Sequence, residues 1–317
     1  MSRNKIIVFI SLLLAILLFA ACGNGENENN NENNVNENNA NEEVEENNTA
    51  ANEEEEEEDY RIVATTVALV EVMEKLDLDL VGVPTSYKEL PARYDDAEEV
   101  GLAAEPDLEI IRSLQATDVL SATTLDTEYD LAPVFENANI PVSFIDLESV
   151  EGMYNSIKEL GEKYNRKEQA EEIIQDFHDQ VARVEERIEG EESPTVLILL
   201  GVPGSYLVAT ENSYIGDLVA RAGGKNAIQG VDLEYVASNT ENLQQSDPDI
   251  ILRAAHGMPD QVVEMFDKEF EENDIWKHFK AVEDGRVYDL EETLFGTTAN
   301  LAVPEALEEL VKMLYDK

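Results

Sequence analysis

The chain has a single cysteine, Cys22, in 317 residues. No intramolecular disulfide and no site built on several thiolates can form. Positive charge is scarce as well: 22 Lys and Arg stand against 70 Asp and Glu, a formal net charge of −48. Nucleic acid and anionic lipid headgroups both need clustered cations, so neither is a partner. Histidine is rare, with only His178, His256 and His278. A dedicated zinc or manganese site, which collects several such ligands, is therefore not supported. Catalytic patterns are missing too. There is no Walker or dinucleotide glycine motif, and Gly201-Val-Pro-Gly-Ser205 lacks the spacing of a nucleophile elbow. The glutamates fall mostly in charge runs, so no carboxylate pair suggests acid–base work. The chain is expected not to be an enzyme.

The N-terminus carries a secretion pattern. Arg3 and Lys5 precede a run of 16 residues from Ile6 to Ala21, apolar except for Ser11, shorter than the roughly 20 residues of a membrane span. Ala20-Ala21-Cys22 then fits a bacterial lipoprotein with a signal peptide over 1–21 and an acylated Cys22, palmitate being the expected lipid. Phe19 fills the usual leucine position. Residues 23–60 hold 15 acidic residues and no Lys or Arg, with Asn as most of the remainder. Such a segment buries too little apolar area to offset its ordering entropy. It predicts an extended tether over 22–59. The body beyond it keeps 20 basic and 55 acidic residues, an acidic surface suited to a saline habitat, where salt screens the self-repulsion.

That body is long enough for two lobes. Strand signals at Arg61–Thr66, Asp79–Val83, Asp118–Ala122 and Val142–Asp146 alternate with helix signals at Val67 to about Leu76 and Pro106–Leu114. Alternation of this kind predicts α/β lobes with parallel sheets. A long helical tract from about Val150 to Glu189 follows, interrupted near Gly161–Asn165. Strands at Thr195–Leu200, Tyr206–Ala209 and Ile250–Ala255, a helix over Ser213–Ala222 and a closing helix over Pro304–Tyr315 make a second lobe. The expected layout is an N-terminal lobe over 60–149, a connecting helix region over 150–190 and a C-terminal lobe over 191–317. Leu108-Glu109 and Thr240-Glu241 open similar helix–turn–strand units, one in each half. Two Rossmann-like lobes joined by a long helix form a cleft with little hinge freedom, which is a binding architecture.

The most informative position is His256, in Pro248-Asp-Ile-Ile-Leu-Arg-Ala-Ala-His-Gly-Met-Pro259. The apolar run predicts a buried strand, and Gly257 and Pro259 stop it. His256 then stands at the carboxyl end of a parallel strand, the rim where open α/β sheets bind ligands. Two roles fit, a polar cap on the strand end or a ligand for iron, including haem iron. His178 is expected on a solvated helix face and His278 in aromatic packing. The turn Pro84-Thr-Ser-Tyr-Lys88 ends another strand and presents a hydroxyl, a phenol and an ammonium. Thr66 and Val67 offer N–H groups at a helix N-terminus, which suit a carboxylate. Together these groups would hold the two propionates of a haem whose iron His256 holds. An ordinary polar turn with an exposed lysine fits the same residues.

At these residues the chain resembles the haem-binding lipoproteins of Gram-positive haem transporters, the IsdE type of the iron-regulated surface determinant system. The resemblance covers nearly all of Arg61–Lys317. It rests on Pro84–Lys88, Leu197–Thr210, Ser213–Val219, Pro248–Pro259 and Asn273–Val282. It implies a helical-backbone (class III) substrate-binding protein, lipid-anchored on the outer face of a Gram-positive cytoplasmic membrane. Such a protein is a monomer that takes haem, in some systems from cell-wall haem-transfer proteins, and delivers it to an ABC permease and its ATPase. The resemblance puts the axial histidine at His256 and the propionate contacts at Thr66, Val67, Tyr87 and Lys88. Glu109 and Glu241 match the glutamates that dock on permease arginines, although helix N-termini favour glutamate on their own. In one respect the chain departs from the family. The second axial ligand is a methionine in Gly-x-x-Met-Glu-Pro, and here Gly101-Leu-Ala-Ala-Glu-Pro106 carries Ala104 in its place. The sixth iron position is thus open, taken by water, or supplied elsewhere, with Met73 and Met258 nearest in sequence. The missing methionine keeps a ferric siderophore or another tetrapyrrole, such as a cobalamin, as alternative ligands. A surface-anchored haem-processing enzyme is the alternative of another class.

Overall fold

Two sheets organise the chain in the computed structural model, which describes residues 60–123, 127–237, 243 and 246–315. The expected signal and tether, Cys22 and Glu241 lie outside the described residues. The first sheet contains β1 (Ile62–Ala64), β2 (Leu80–Val83), β3 (Glu98–Glu99), β6 (Asp118–Thr123) and β7 (Val142–Asp146) in the order β3-β2-β1-β6-β7. Every pairing in it is parallel. Crossover helices cover both faces of such a sheet, so its inner strands need apolar side chains in both directions. Ile62, Val63 and Ala64 are accordingly all buried.

The crossovers are α1 (Val67–Lys75), α2 (Leu108–Ser113) and α3 (Thr127–Ala138). Thr66 caps α1, its side chain accepting from the Leu69 N–H. The helix expected from Pro106 starts later. Pro106 belongs to a short hairpin of β4 (Gly101–Leu102) and β5 (Glu105–Pro106). Asp107 then caps α2 by accepting the N–H groups of Glu109 and Ile110 at 3.0 and 3.1 Å. A carboxylate at the cap position outweighs the proline signal one residue before it.

The helical tract is two helices, α4 (Val150–Lys163) and α5 (Lys167–Ile188), broken where Asn165 turns left-handed at φ 54°. Ser149 caps α4 through the Gly152 N–H at 3.0 Å. The second sheet contains β8 (Thr195–Val202), β9 (Ser205–Ala209), β10 (Lys225–Asn226), β11 (Tyr235–Ala237), β12 (Ile250–Ala255) and β13 (Val287–Leu290). Its main path is β11-β9-β8-β12-β13, with β10 added alongside β8. β8, β12 and β13 pair in parallel, while β9 folds back on β8 as a hairpin and β11 pairs antiparallel to β9. Helices α6 (Tyr214–Arg221), α7 (Pro259–Glu272), α8 (Lys280–Glu283) and α9 (Val303–Tyr315) complete this half.

The two halves share one hydrophobic core. Leu69 and Met73 of α1, Val184 of α5, Leu218 of α6 and Leu310 of α9 belong to the same buried cluster. Polar ties cross with it: the Val150 N–H donates to Asp217 at 2.8 Å, and the Ala299 N–H to the Leu147 carbonyl at 2.8 Å. Wide opening would expose shared apolar area at about 25 cal/mol per Å². The geometry of the two strand margins is therefore held by the core beneath them.

Candidate functional site

All six residues of β12 are buried, and the strand is central, between β8 and β13. Its ladder continues one step further, from the His256 N–H to the Gly201 carbonyl at 2.8 Å. The chain then turns through two left-handed residues, Gly257 at φ 73° and Met258 at φ 49°, into Pro259 at the start of α7. Gly201 lets α7 lie flush on this strand end, since a Cβ there would stand 2.3 Å from Val262. The backbone that carries His256 is thus fixed on three sides.

The His256 side chain itself is exposed. Surrounding protein nonetheless strips hydration from the imidazole and holds its pKa below the ordinary histidine value; the Glu292 charge opposes this and Lys88 adds to it. A ring that prefers its neutral form keeps a lone pair available for a metal at neutral pH.

Across from it lies the margin of the first sheet. Thr66 and Val67 are half-buried at the start of α1, where the first-turn N–H groups have no partners within the helix. Tyr87 and Lys88 follow the end of β2. The Tyr87 phenol donates to Glu292 Oε1. The residue is 69% exposed. Partial desolvation, followed by the Glu292 hydrogen bond and charge, pushes the phenol pKa up to about 12. Lys88 Nζ lies 3.5 Å from the Glu292 carbonyl oxygen. The same Glu292 Oε1 accepts the Gly257 N–H at 3.0 Å. Lys88 also acts on Glu71 of α1, lowering a carboxyl pKa that burial, the larger cause, raises.

Glu292 is therefore the residue at which the two margins meet, and the sequence reading missed it. As one of 70 acidic residues, in the pair Glu291-Glu292, it carries no signal of its own. The fold brings Tyr87, Lys88 and the His256 turn together through it. Thr66 and Val67 stand on the margin of the same first sheet.

Ala104 lies exposed at the tip of the β4–β5 hairpin. That hairpin is tied to the Tyr87 turn by the Thr85 N–H, which donates to the Gly101 carbonyl at 2.8 Å. Met73 has no exposed surface and packs in the core beneath α1, as its helical spacing suggests. Met258 is 58% exposed, but it belongs to the same turn as His256 and not to the facing lobe. Glu109 is exposed in the first turn of α2. His178 is exposed on α5, its ring 5.0 Å from that of Tyr154. His278, expected in aromatic packing, is exposed instead; its neighbours Trp276 and Phe279 are the buried ones, with Phe270 stacked on Trp276 at 4.4 Å. A short 3₁₀ turn over Asp274–His278 puts one of these ring-bearing residues outward. Two recesses, of about 320 Å³ between β7 and α4 and about 440 Å³ between α7 and the β8–β9 turn, are not lined by Thr66, Val67, Tyr87, Lys88 or His256.

Two α/β lobes on a shared core, with donors at facing strand ends, define a protein that captures a solute in a cleft. The chain belongs to the periplasmic binding protein family, whose model matches residues 62–294. It is 50% identical over 262 residues to the high-affinity heme uptake system protein IsdE of Staphylococcus aureus (strain Newman), covering 81% of this chain and 88% of that protein. The crystal structure of S. aureus IsdE complexed with heme matches with TM-score 0.78 and 49% identity over 81% of this chain and all of that one. An ABC transporter substrate-binding protein from Listeria monocytogenes EGD-e matches with TM-score 0.77 and 55% identity over 82% of this chain and all of that one.

Proposed function

We propose that this chain is a haem receptor that captures haem between its lobes and delivers it to an ABC permease for iron acquisition. The observation that carries the reading is His256, held by the β12 ladder on the cleft margin, in a chain about half identical to a relative solved with heme. His256 is the axial ligand to the haem iron. Thr66, Val67, Tyr87 and Lys88 receive the propionates: the helix N–H groups and the ammonium supply positive potential, and the phenol donates a hydrogen bond. Ala104 has no donor atom, so the sixth iron position is open, holds water or is supplied by another residue, Met258 being the exposed candidate.

The work is capture, desolvation and release, and the protein breaks no bond. Residues 1–21 are removed as a signal peptide. Cys22 carries the lipid on the outer face of the cytoplasmic membrane of a Gram-positive bacterium, and 22–59 form the tether. Glu109 and Glu241, one per lobe, dock on cationic residues of the permease, whose ATPase drives transport. Haem arrives free or from a cell-wall donor.

Replacing His256 by Ala should abolish the sharp Soret band of the haem-loaded protein. An unchanged spectrum and affinity would remove His256 as the iron ligand. Titration with haemin beside a ferric siderophore and a cobalamin tests the cargo itself; tighter binding of either of the latter two would overturn haem.

A further inference from the structure

Glu292 already holds both side chains that the proposed function gives to the propionates. Tyr87 donates its phenol proton to the Glu292 carboxylate, and the Lys88 ammonium lies against the Glu292 carbonyl at 3.5 Å. The carboxylate is anchored on the opposite lobe by the Gly257 N–H at 3.0 Å. A carboxylate thus sits among donors placed for a carboxylate, and that carboxylate is the protein's own. We propose that Glu292 is a built-in competitor of the haem propionate: its carboxylate occupies the Tyr87 donor and limits how tightly haem is held.

The chemistry is an exchange of like for like. A propionate that reaches Tyr87 must displace Glu292 Oε1 from the phenol, because one O–H donates one full hydrogen bond. Glu292 keeps its Gly257 N–H and so stays on the cleft margin. Two carboxylates then face the same phenol, and their repulsion opposes the bound state. Net binding is the propionate's interactions less those Glu292 surrenders, plus this repulsion. For a carrier that must hand on its cargo, the returning carboxylate offers a route for release: as a propionate leaves Tyr87, Glu292 takes its place. The contact also joins the lobes, since Tyr87 belongs to the first and Glu292 to the second.

This inference rests on the haem reading, and two porphyrins separate the two. The native protein and Glu292→Gln are titrated with haemin and with haemin dimethyl ester, in which both propionates are esterified and carry no charge. The amide keeps the shape of Glu292, removes its charge and accepts more weakly from the phenol. We expect haemin to bind Glu292→Gln about tenfold more tightly, chiefly through slower dissociation. The dimethyl ester should bind the two proteins nearly equally, because a neutral ester accepts only weakly from Tyr87 and does not repel the Glu292 carboxylate. Equal or weaker haemin binding by Glu292→Gln overturns the proposal and leaves the haem reading standing. Equal tightening for both porphyrins also overturns it, since Glu292 would then act on His256 or the iron and not on a propionate. A native protein that takes up neither porphyrin removes the haem reading and this proposal together.

Discussion

The two margins of the cleft are built differently. The His256 margin grows from the centre of a sheet: β12 is wholly buried, its ladder runs on through the His256 N–H, and α7 is pressed against the strand end at Gly201. The facing margin is built from the open turn after β2 and a two-strand hairpin. Tyr87 is 69% exposed there, and Leu102 beside the hairpin tip is 57% exposed. A fixed imidazole faces a surface that is adjustable and partly apolar. Metal ligation tolerates little displacement, whereas a flat macrocycle edge with two flexible propionates can be met by side chains that move. A residue on an exposed hairpin tip is replaced at little cost in folding, while one in the β12 turn is held by its neighbours.

Restoring a donor on the adjustable margin should give the largest change. Ala104→Met places a thioether on the exposed hairpin tip, where the resemblance implies a methionine ligand. The ferric haem complex is expected to pass from a high-spin, open or water-ligated form to a six-coordinate low-spin form, read as loss of the high-spin charge-transfer band and gain of a methionine signature in magnetic circular dichroism. A spectrum identical to the native one would mean that the tip does not reach the iron, and the division into a ligating and a facing margin would fail.

The rigidity of the first margin can be attacked through Arg253, three residues before His256. Its guanidinium is 9% exposed, grips Asp289 through two bonds of 2.7 and 2.6 Å and Asp267 through one of 3.0 Å, and lies 5.3 Å from the Phe270 ring centroid. Arg253→Ala removes these bonds and the packing of the side-chain stem. A loss of about 3 kcal/mol is expected, with the urea midpoint falling at constant slope. Arg93 of the first lobe pairs with Asp77 and Asp79, but both carboxylates are exposed. Arg93→Ala should cost under about 1 kcal/mol. Equal losses would remove the asymmetry.

The sequence makes some of this legible and hides the rest for physical reasons. β12 is plain because the run Ile250–Ala255, apolar except for Arg253, is stopped by Gly257 and Pro259, and His256 stands out as a lone imidazole at that stop. The expected strand bounds Val142–Asp146 and Ile250–Ala255 are those of β7 and β12. α3 went unseen, since Pro133 inside it and a polar flank mask its period. The hairpin β4–β5 carried only two residues per strand, too few for alternation to appear. Glu292 is invisible for a different reason: its role comes from meeting Tyr87, 205 positions away, and no local pattern records a contact between lobes. Met73 was separable from a ligand only by burial, which its helical spacing already suggested.

The smallest effect tests the far end of the same strand. Asp249 precedes β12 and accepts the Thr195 N–H and the Lys280 ammonium, each at 2.9 Å. The backbone bond to Thr195 first, and the Lys280 bond second, hold its carboxyl below the usual carboxylate pKa. A folded-state pKa below the unfolded one means that the unfolded chain binds the proton more readily. The stabilisation is therefore complete above the unfolded value and is lost as pH falls through the folded one. Asp249→Asn should cost about 0.5–1 kcal/mol at neutral pH, kept small because solvent reaches both partners. Urea midpoints of the two proteins should converge below the carboxylate range, where the native Asp249 is itself protonated. A gap that stays constant with pH would show that shape and not charge is at stake. Haem affinity should be the same in both proteins at neutral pH, because the β8 and β13 ladders lie between this end of the strand and His256. A drop in affinity without unfolding would show that the strand transmits strain to the imidazole, and that the His256 margin is less rigid than its hydrogen bonds imply.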